Sequence, residues 1–277
     1  MGISVVQGRV VLSKEMAVRS IHSESRLMTD TLKTWKVSLS SFKSLPKDDQ
    51  IFIVQILQFM NEINILETGI HASWNGKNEL PRLQRLAQKA QILFYVKTLA
   101  GKLYEGWLLT TKTYNKGMAR RYDSLIPEAS RRAMKQLKKY FGRNNIVKGI
   151  RQKYAFHYDS KRIEEVIGCH YPNGELTFVL PGKTGYGFCD LSADMTDASM
   201  LANIDSDGDK ALDLMLKDIL DVSTWFCIFV AGLVSHILRS LECQDGTEDT
   251  KGLLLLGEIC LPYFAVRQMD SQQVLPT

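Results

Sequence analysis

The chain has little cysteine, few acids in its middle third, no internal repeat and no apolar run of ordinary membrane length. Each shortage excludes something. Its five cysteines (Cys169, Cys189, Cys227, Cys243 and Cys260) are odd in number and irregularly spaced. That excludes a disulfide framework and points to a reducing, cytoplasmic compartment. The opening stretch Met1–Leu12 has strand-like character and lacks the charged-then-apolar order of a secretory leader. Val6 stands where a myristoylation signal needs Ser or Thr. The absence of repeats and low-complexity tracts argues against a solenoid. An apolar content of 45% with 23% charged residues is ample for a globular core across 277 residues. The longest formally uncharged apolar segment, Val222–Leu238, is seventeen residues and stands alone. It reads as the buried central helix of a bundle rather than a membrane span, so no membrane partner is expected.

Charge is distributed unevenly. Between Lys77 and Lys153 there are 19 Lys/Arg and four acids, a net of +15. Between Asp190 and Asp249 there are 13 acids and three Lys/Arg, a net of −10. Two explanations compete at this level. The basic segment faces a polyanion such as nucleic acid, or the two segments neutralise each other across the fold.

Periodicity predicts a mostly α-helical protein in four parts. Residues 1–47 are mixed, with a short strand in GRVVLS and loose helical spacing from Ser13 to Ser41. Residues 48–167 form a helical core. Asp48 or Asp49 serves as N-cap to a helix whose Ile53, Ile56, Leu57, Met60 and Ile63 recur at helical spacing. A second long helix starts at Pro81 and runs to about Tyr114, with Gly101 and Gly106 weakening it only locally. A third runs from Pro127 to Phe141 and stops at Gly142. The stretch from Asn144 to Tyr158 is one more helix or a helix-to-loop junction, and Lys161–Ile167 a short helix. Residues 168–192, with Pro-Asn-Gly, the apolar run LTFVL and four glycines between Cys169 and Phe188, predict a small β-hairpin insert. Residues 193–277 return to helix, from about Lys210 to Leu241 and again over 251–267.

The segment Arg151–Asp159 (RQKYAFHYD) carries the most chemistry. A histidine can move a proton near neutral pH, taking it from a ribose 2′-OH or giving it to a leaving oxygen. An arginine stays charged and can hold a phosphate by two parallel hydrogen bonds. On a straight α-helix, six residues would set Arg151 and His157 about 240° apart. They share a site only if the helix breaks between them or a second subunit completes it.

This segment resembles the R-x4–6-H motif of the HEPN superfamily, and within it the abortive-infection branch, where Arg, five residues, His, one residue and Asp follow each other. Those are Arg151, His157 and Asp159 here, with Gln152 where the family usually has Asp, Asn or His. The resemblance covers roughly residues 48–167. It implies an α-helical bundle that forms a homodimer with the two motifs at the interface. It also implies RNA cleavage leaving a cyclic phosphate, without metal or cofactor, in a defence or toxin setting. A cognate antitoxin or partner protein belongs to such a setting. Arg151 would hold the phosphate, His157 would do acid–base work, and Asp159 or Tyr158 would orient the His. The basic residues Arg120, Arg121, Arg131, Arg132, Lys138, Lys139 and Lys153 would steer RNA. The competing reading is a non-catalytic helical module that binds a partner protein or a nucleotide, the motif serving as structure.

Three other patterns are weaker. Asn203, Asp205, Asp207, Gly208 and Asp209 match the first half of an EF-hand loop, but Leu214 stands where the bidentate Glu belongs. An acidic turn capping the next helix is favoured there. PGKTGYG has Thr177 where a P-loop needs Gly, so a hairpin turn is expected. Cys169, His170 and Cys189 lack a fourth zinc ligand, and His22, His71 and His236 each stand alone, so no metal site is expected.

Overall fold

A computed structural model of the chain describes residues 4–6, 9–11, 31–74, 82–155, 160–170, 190–241 and 244–249. The described part is a mostly helical bundle. Two long helices, α2 (Lys47–Trp74) and α3 (Arg82–Lys112), follow the short α1 (Leu39–Lys43). A π-helical turn, Tyr114–Met118, leads into α4 (Ala119–Tyr122). Then come α5 (Glu128–Phe141), α6 (Ile146–Ile150), a second π-helical turn over Arg151–Ala155, α7 (Ser160–His170), α8 (Asp190–Ala202) and the long α9 (Gly208–Arg239).

Strands β1 (Ser4–Val6) and β2 (Arg9–Val11) form an antiparallel pair with Ser4 opposite Val11. Strands β3 (Thr31–Lys36) and β4 (Gln244–Asp249) form another, with Thr31 opposite Asp249 and Lys36 opposite Gln244. The expected strand in GRVVLS is β2. The helical spacing expected from Ser13 to Ser41 is overturned at Thr31–Lys36. That segment takes its ladder from a partner near the other end of the chain, which no local periodicity can reveal. The hairpin expected over 168–192 is not seen in the described part: α7 runs through His170, and α8 starts at Asp190. The rest of that range and the helix expected over 251–267 lie outside the described residues.

The bundle begins as an α-hairpin. Gly69 lies against Tyr95, Lys102 pairs with Glu62 at 2.7 Å, and Gly106 lies against Phe59, so α2 and α3 run antiparallel. Helix α2 buries Phe52, Ile53, Ile56, Phe59 and Ile63, while Leu57, expected inside, is 39% exposed. Gly106 has a packing reason: a Cβ there would lie 2.2 Å from the Phe59 ring, which stands edge-on to Phe226 of α9 at 5.0 Å.

Helix α9 fills the middle. It buries twelve residues, among them Met215, Ile219, Phe226, Phe229, Leu233 and Ile237. By length and composition it is the one described helix apolar enough to cross a membrane, with 44% of its most apolar window buried. Its apolar side chains join the core cluster with those of α2, α3, α5 and α6. Helix α5 runs antiparallel to it, for Ser130 donates to the Ile228 carbonyl at 2.9 Å and the Tyr140 hydroxyl donates to Asp218 at 2.6 Å. Gly232 makes the close approach possible, since a Cβ there would fall 1.9 Å from Ser130 Oγ and 2.9 Å from its Cβ.

Gly232→Ala therefore overpacks the α5–α9 seam and lowers stability by about 1–3 kcal/mol in thermal melts. Adding Ser130→Ala removes the nearer obstacle and recovers part of the loss, so the two changes are non-additive.

Burial holds three tyrosines neutral. Tyr114 and Tyr140 are pushed well above the usual phenol range by desolvation, then by Asp123 and Asp218 respectively, and Tyr122 is pushed up to about 12 by desolvation and Asp49. Above about pH 10 the unfolded chain releases these protons before the folded one does, so stability is full below that pH and falls as pH rises further. Melting temperature should hold up to about pH 10 and fall progressively between about pH 10 and 12, the interval from the ordinary phenol value to that of folded Tyr122. A flat profile across that range would show that the phenols ionise freely.

Candidate nucleic-acid interface

Helix α5 is amphipathic by design of its sequence. Pro127 stands at its N-cap and Gly142 at its C-cap. Ser130, Ala133, Met134, Leu137 and Tyr140 are buried. The opposite side exposes Arg132, Lys135, Lys138 and Lys139. Arg132 pairs with Glu128 one turn earlier at 2.6 Å, and the half-buried Arg131 donates to the Ser124 carbonyl at 3.2 Å. Among the described residues, Lys135, Lys138 and Lys139 have no carboxylate partner.

The end of α5 is clamped by aromatic rings. Phe141 stacks on Trp107 of α3, centroids 4.9 Å apart and planes 10° from parallel, with Tyr104 at 6.1 Å. Beyond Gly142 and Arg143, the Asn145 side chain caps α6 by accepting from the Lys148 amide at 2.8 Å. Val147 and Ile150 are buried and fix α6 against the core.

Arg151 follows on the π-helical turn. Its Nε (3.1 Å) and Nη2 (2.9 Å) both donate to Glu105 Oε1 of α3, one residue from Tyr104, and its side chain remains 33% exposed. The turn is held from the other side by α8 and the residues just after it. The buried Tyr154 donates its hydroxyl to the Ser199 carbonyl at 3.2 Å, and Lys153 reaches Asn203 Oδ1 at 3.4 Å. A π turn carries more residues than an α turn. Ordinary α-helical spacing therefore does not hold over Arg151–Ala155. His157, Tyr158 and Asp159 lie outside the described residues, so Arg151 is the one placed member of the expected catalytic group.

The remaining basic residues divide. Arg120 is exposed. Arg121 turns into the fold: its Nη2 donates to Asp49 Oδ1, and the Tyr122 hydroxyl donates to Asp49 Oδ2 at 2.7 Å. Asp49 is fully buried while the Arg121 side chain is 44% exposed. Asp49, expected as an N-cap, instead ties the start of α2 to α4. The cap expectation fails because the helix already begins at Lys47, with the Pro46 carbonyl accepting from the Asp49 and Gln50 amides at 3.0 and 3.1 Å. Sequence reasoning missed Glu105, Lys135 and Arg143. Lys135 was findable, four residues from both Arg131 and Lys139 on the same helical side. Nothing local marks Glu105 as the partner of Arg151.

Among the described residues, no carboxylate of the acidic segment forms an ion pair with α5. Asp205 and Asp221 pair with Lys210 (2.5 Å) and Lys217 (3.1 Å) of their own segment. An ion pair joining the two segments is Lys97–Asp197 at 3.2 Å, which docks α8 on α3. In the half EF-hand, Asp207 Oδ1 caps α9 by accepting from the Asp209 and Lys210 amides at 3.0 and 3.2 Å. The Lys210 ammonium lowers the Asp205 carboxyl. These oxygens serve the helix start as the capping alternative expected, and among the described residues no group of three His, Cys, Asp or Glu could hold a metal ion.

No family model matches the chain, and neither a curated protein nor a solved structure is found similar to it.

Replacing Arg121 by Ala leaves Asp49 buried with Tyr122 as its remaining side-chain partner. That change should cost about 3–5 kcal/mol, more than Asp49→Asn, whose exposed partner can turn to water. Chemical denaturation of both variants checks the order, and an Asp49→Asn protein less stable than Arg121→Ala would contradict the assignment.

Proposed function

We propose that the chain is an HEPN-like, metal-independent ribonuclease of a defence or toxin system, working as a homodimer on RNA. Arg151 holds the scissile phosphate, His157 transfers the proton, and Tyr158 and Asp159 orient the His. One observation carries the reading. Arg151 is presented part-exposed on a π-helical turn, and the chain leading to it from α5 carries the exposed Arg143 and the half-buried Lys148. A phosphate arriving there meets a guanidinium whose Nη1 is free of the Glu105 contact. No metal is needed, because general acid–base work by His and charge stabilisation by Arg suffice for attack of a 2′-OH on its neighbouring phosphate.

A second reading has its own support. Glu105 already accepts two hydrogen bonds from Arg151, which is what a structural arginine would show. On that reading the chain is a non-catalytic helical module binding a partner protein or nucleotide.

Purified protein incubated with a mixed RNA pool in EDTA separates the two. Cleavage by the wild type that leaves cyclic phosphate ends and is lost in His157→Ala and Arg151→Ala, with circular dichroism unchanged, supports the ribonuclease. Intact RNA with every protein, at high concentration and with the fold verified, transfers the assignment to the binding module.

A further inference from the structure

We infer that the outer side of α5 is a docking surface for the sugar–phosphate backbone of double-helical RNA, read by shape and charge rather than by base. The inference rests on the RNA-directed reading above and specifies its substrate class. Five of the fourteen residues of α5 are Lys or Arg, and Glu128 is the single acid. Favourable charge at a helix C-terminus accounts for Lys138 and Lys139, but not for Arg131, Arg132 and Lys135 earlier in the helix. A merely solvated helix side usually interleaves both signs, and this one does not. Among the described residues, no acid of the acidic half of the chain pairs with these side chains. The carboxylate of α9 that meets α5, Asp218, is bonded by Tyr140, and the α5 cation with an acid partner, Arg132, finds it within its own helix.

The shape of the surface selects the form of nucleic acid. From Arg131 to Lys139 the cations follow a straight helix for about 12 Å, one or two per turn. Such a row matches a regular line of phosphates. Proteins that take single strands add aromatic rings on which unpaired bases stack. Here the exposed positions of α5 are Glu128, Ala129, Arg132, Lys135, Gln136, Lys138 and Lys139, with no ring among them. Both aromatic residues of α5 point inward, Tyr140 to Asp218 and Phe141 to Trp107. The exposed Phe94 of α3 is 60% accessible, but it stands about 20 Å along that helix from Trp107, too far to serve the same strand. The surface therefore offers charge at regular intervals and nothing for a base.

Fluorescence anisotropy with a labelled RNA duplex of about 20 base pairs and scrambled sequence, and with either strand alone, tests this on the 277-residue protein. The wild type should bind the duplex at least tenfold more tightly than either strand, whatever the sequence (about one decade, the scale of a single good contact). The slope of log Kd against log salt should shrink by about 2 to 3 in Lys135→Gln/Lys138→Gln/Lys139→Gln, roughly one per phosphate contact removed. Lys217→Gln, on the acidic helix α9, should leave the slope unchanged. Single strands bound as tightly as the duplex, an unchanged slope in the triple variant, or preference for vesicles containing phosphatidylserine over RNA would each overturn the inference. Failure here is separable from failure of the ribonuclease reading. Duplex binding without cleavage leaves the docking surface standing, while His157-dependent cleavage of single strands with the duplex ignored leaves the enzyme and removes the surface.

Discussion

Burial of α9 is the constraint on which the rest of the architecture depends. Each large apolar side chain it removes from water contributes about 1.5–3 kcal/mol, and Phe226, Phe229, Leu233 and Ile237 are almost wholly enclosed. Once that helix occupies the centre, α5 has one way to lie: its own apolar stripe inward and Ser130 against Gly232. The cations on its other side are then turned outward by the same packing that stabilises the bundle. Exposure of the basic side is thus a consequence of core formation.

A second dependence runs through α3. Tyr104 and Trp107 hold the end of α5, while Glu105 between them receives Arg151. Lys97, two turns earlier, holds Asp197 of α8, and α8 in turn supplies the Ser199 carbonyl to Tyr154. One helix therefore sets the position of the arginine from two directions. Ala100 and Leu103 between those sites are buried. A disturbance of α3 reaches both ends of the proposed RNA path together.

Much of the helical layout was legible because it depends on local signals. Pro127 and Gly142 bracket α5 as expected, and the apolar run of Val222–Leu238 proved to be part of the core helix α9. What escaped was non-local. The strand at Thr31–Lys36 depends on Gln244–Asp249 for its hydrogen bonds. Asp49 has the residue type and position of a cap, and only the return of the chain at Arg121 and Tyr122 gives it a different task. Phe52 and Phe59 displaced Leu57 from the core because the apolar stripe of α2 is wider than its side of contact, so spacing alone allows more than one choice. For the site, Arg151 and the row on α5 could be nominated from residue type. Its neighbour Glu105, on a helix that ends well before α5 starts, could not.

The π-helical turn at Arg151–Ala155 has a bearing on how the chain tolerates change in length. Where an α-helix bonds four residues back, this turn bonds five back and so absorbs one residue that a regular helix would not hold. Its upstream end is anchored by Ile150 in the core and by Glu105, and its downstream end by Tyr154 on α8. Loss of a single residue between those anchors would return the turn to ordinary α winding with both anchors close to their present phase, whereas loss of a second would turn the downstream anchor by about 100°. In this segment residue number, as much as residue type, sets the aim.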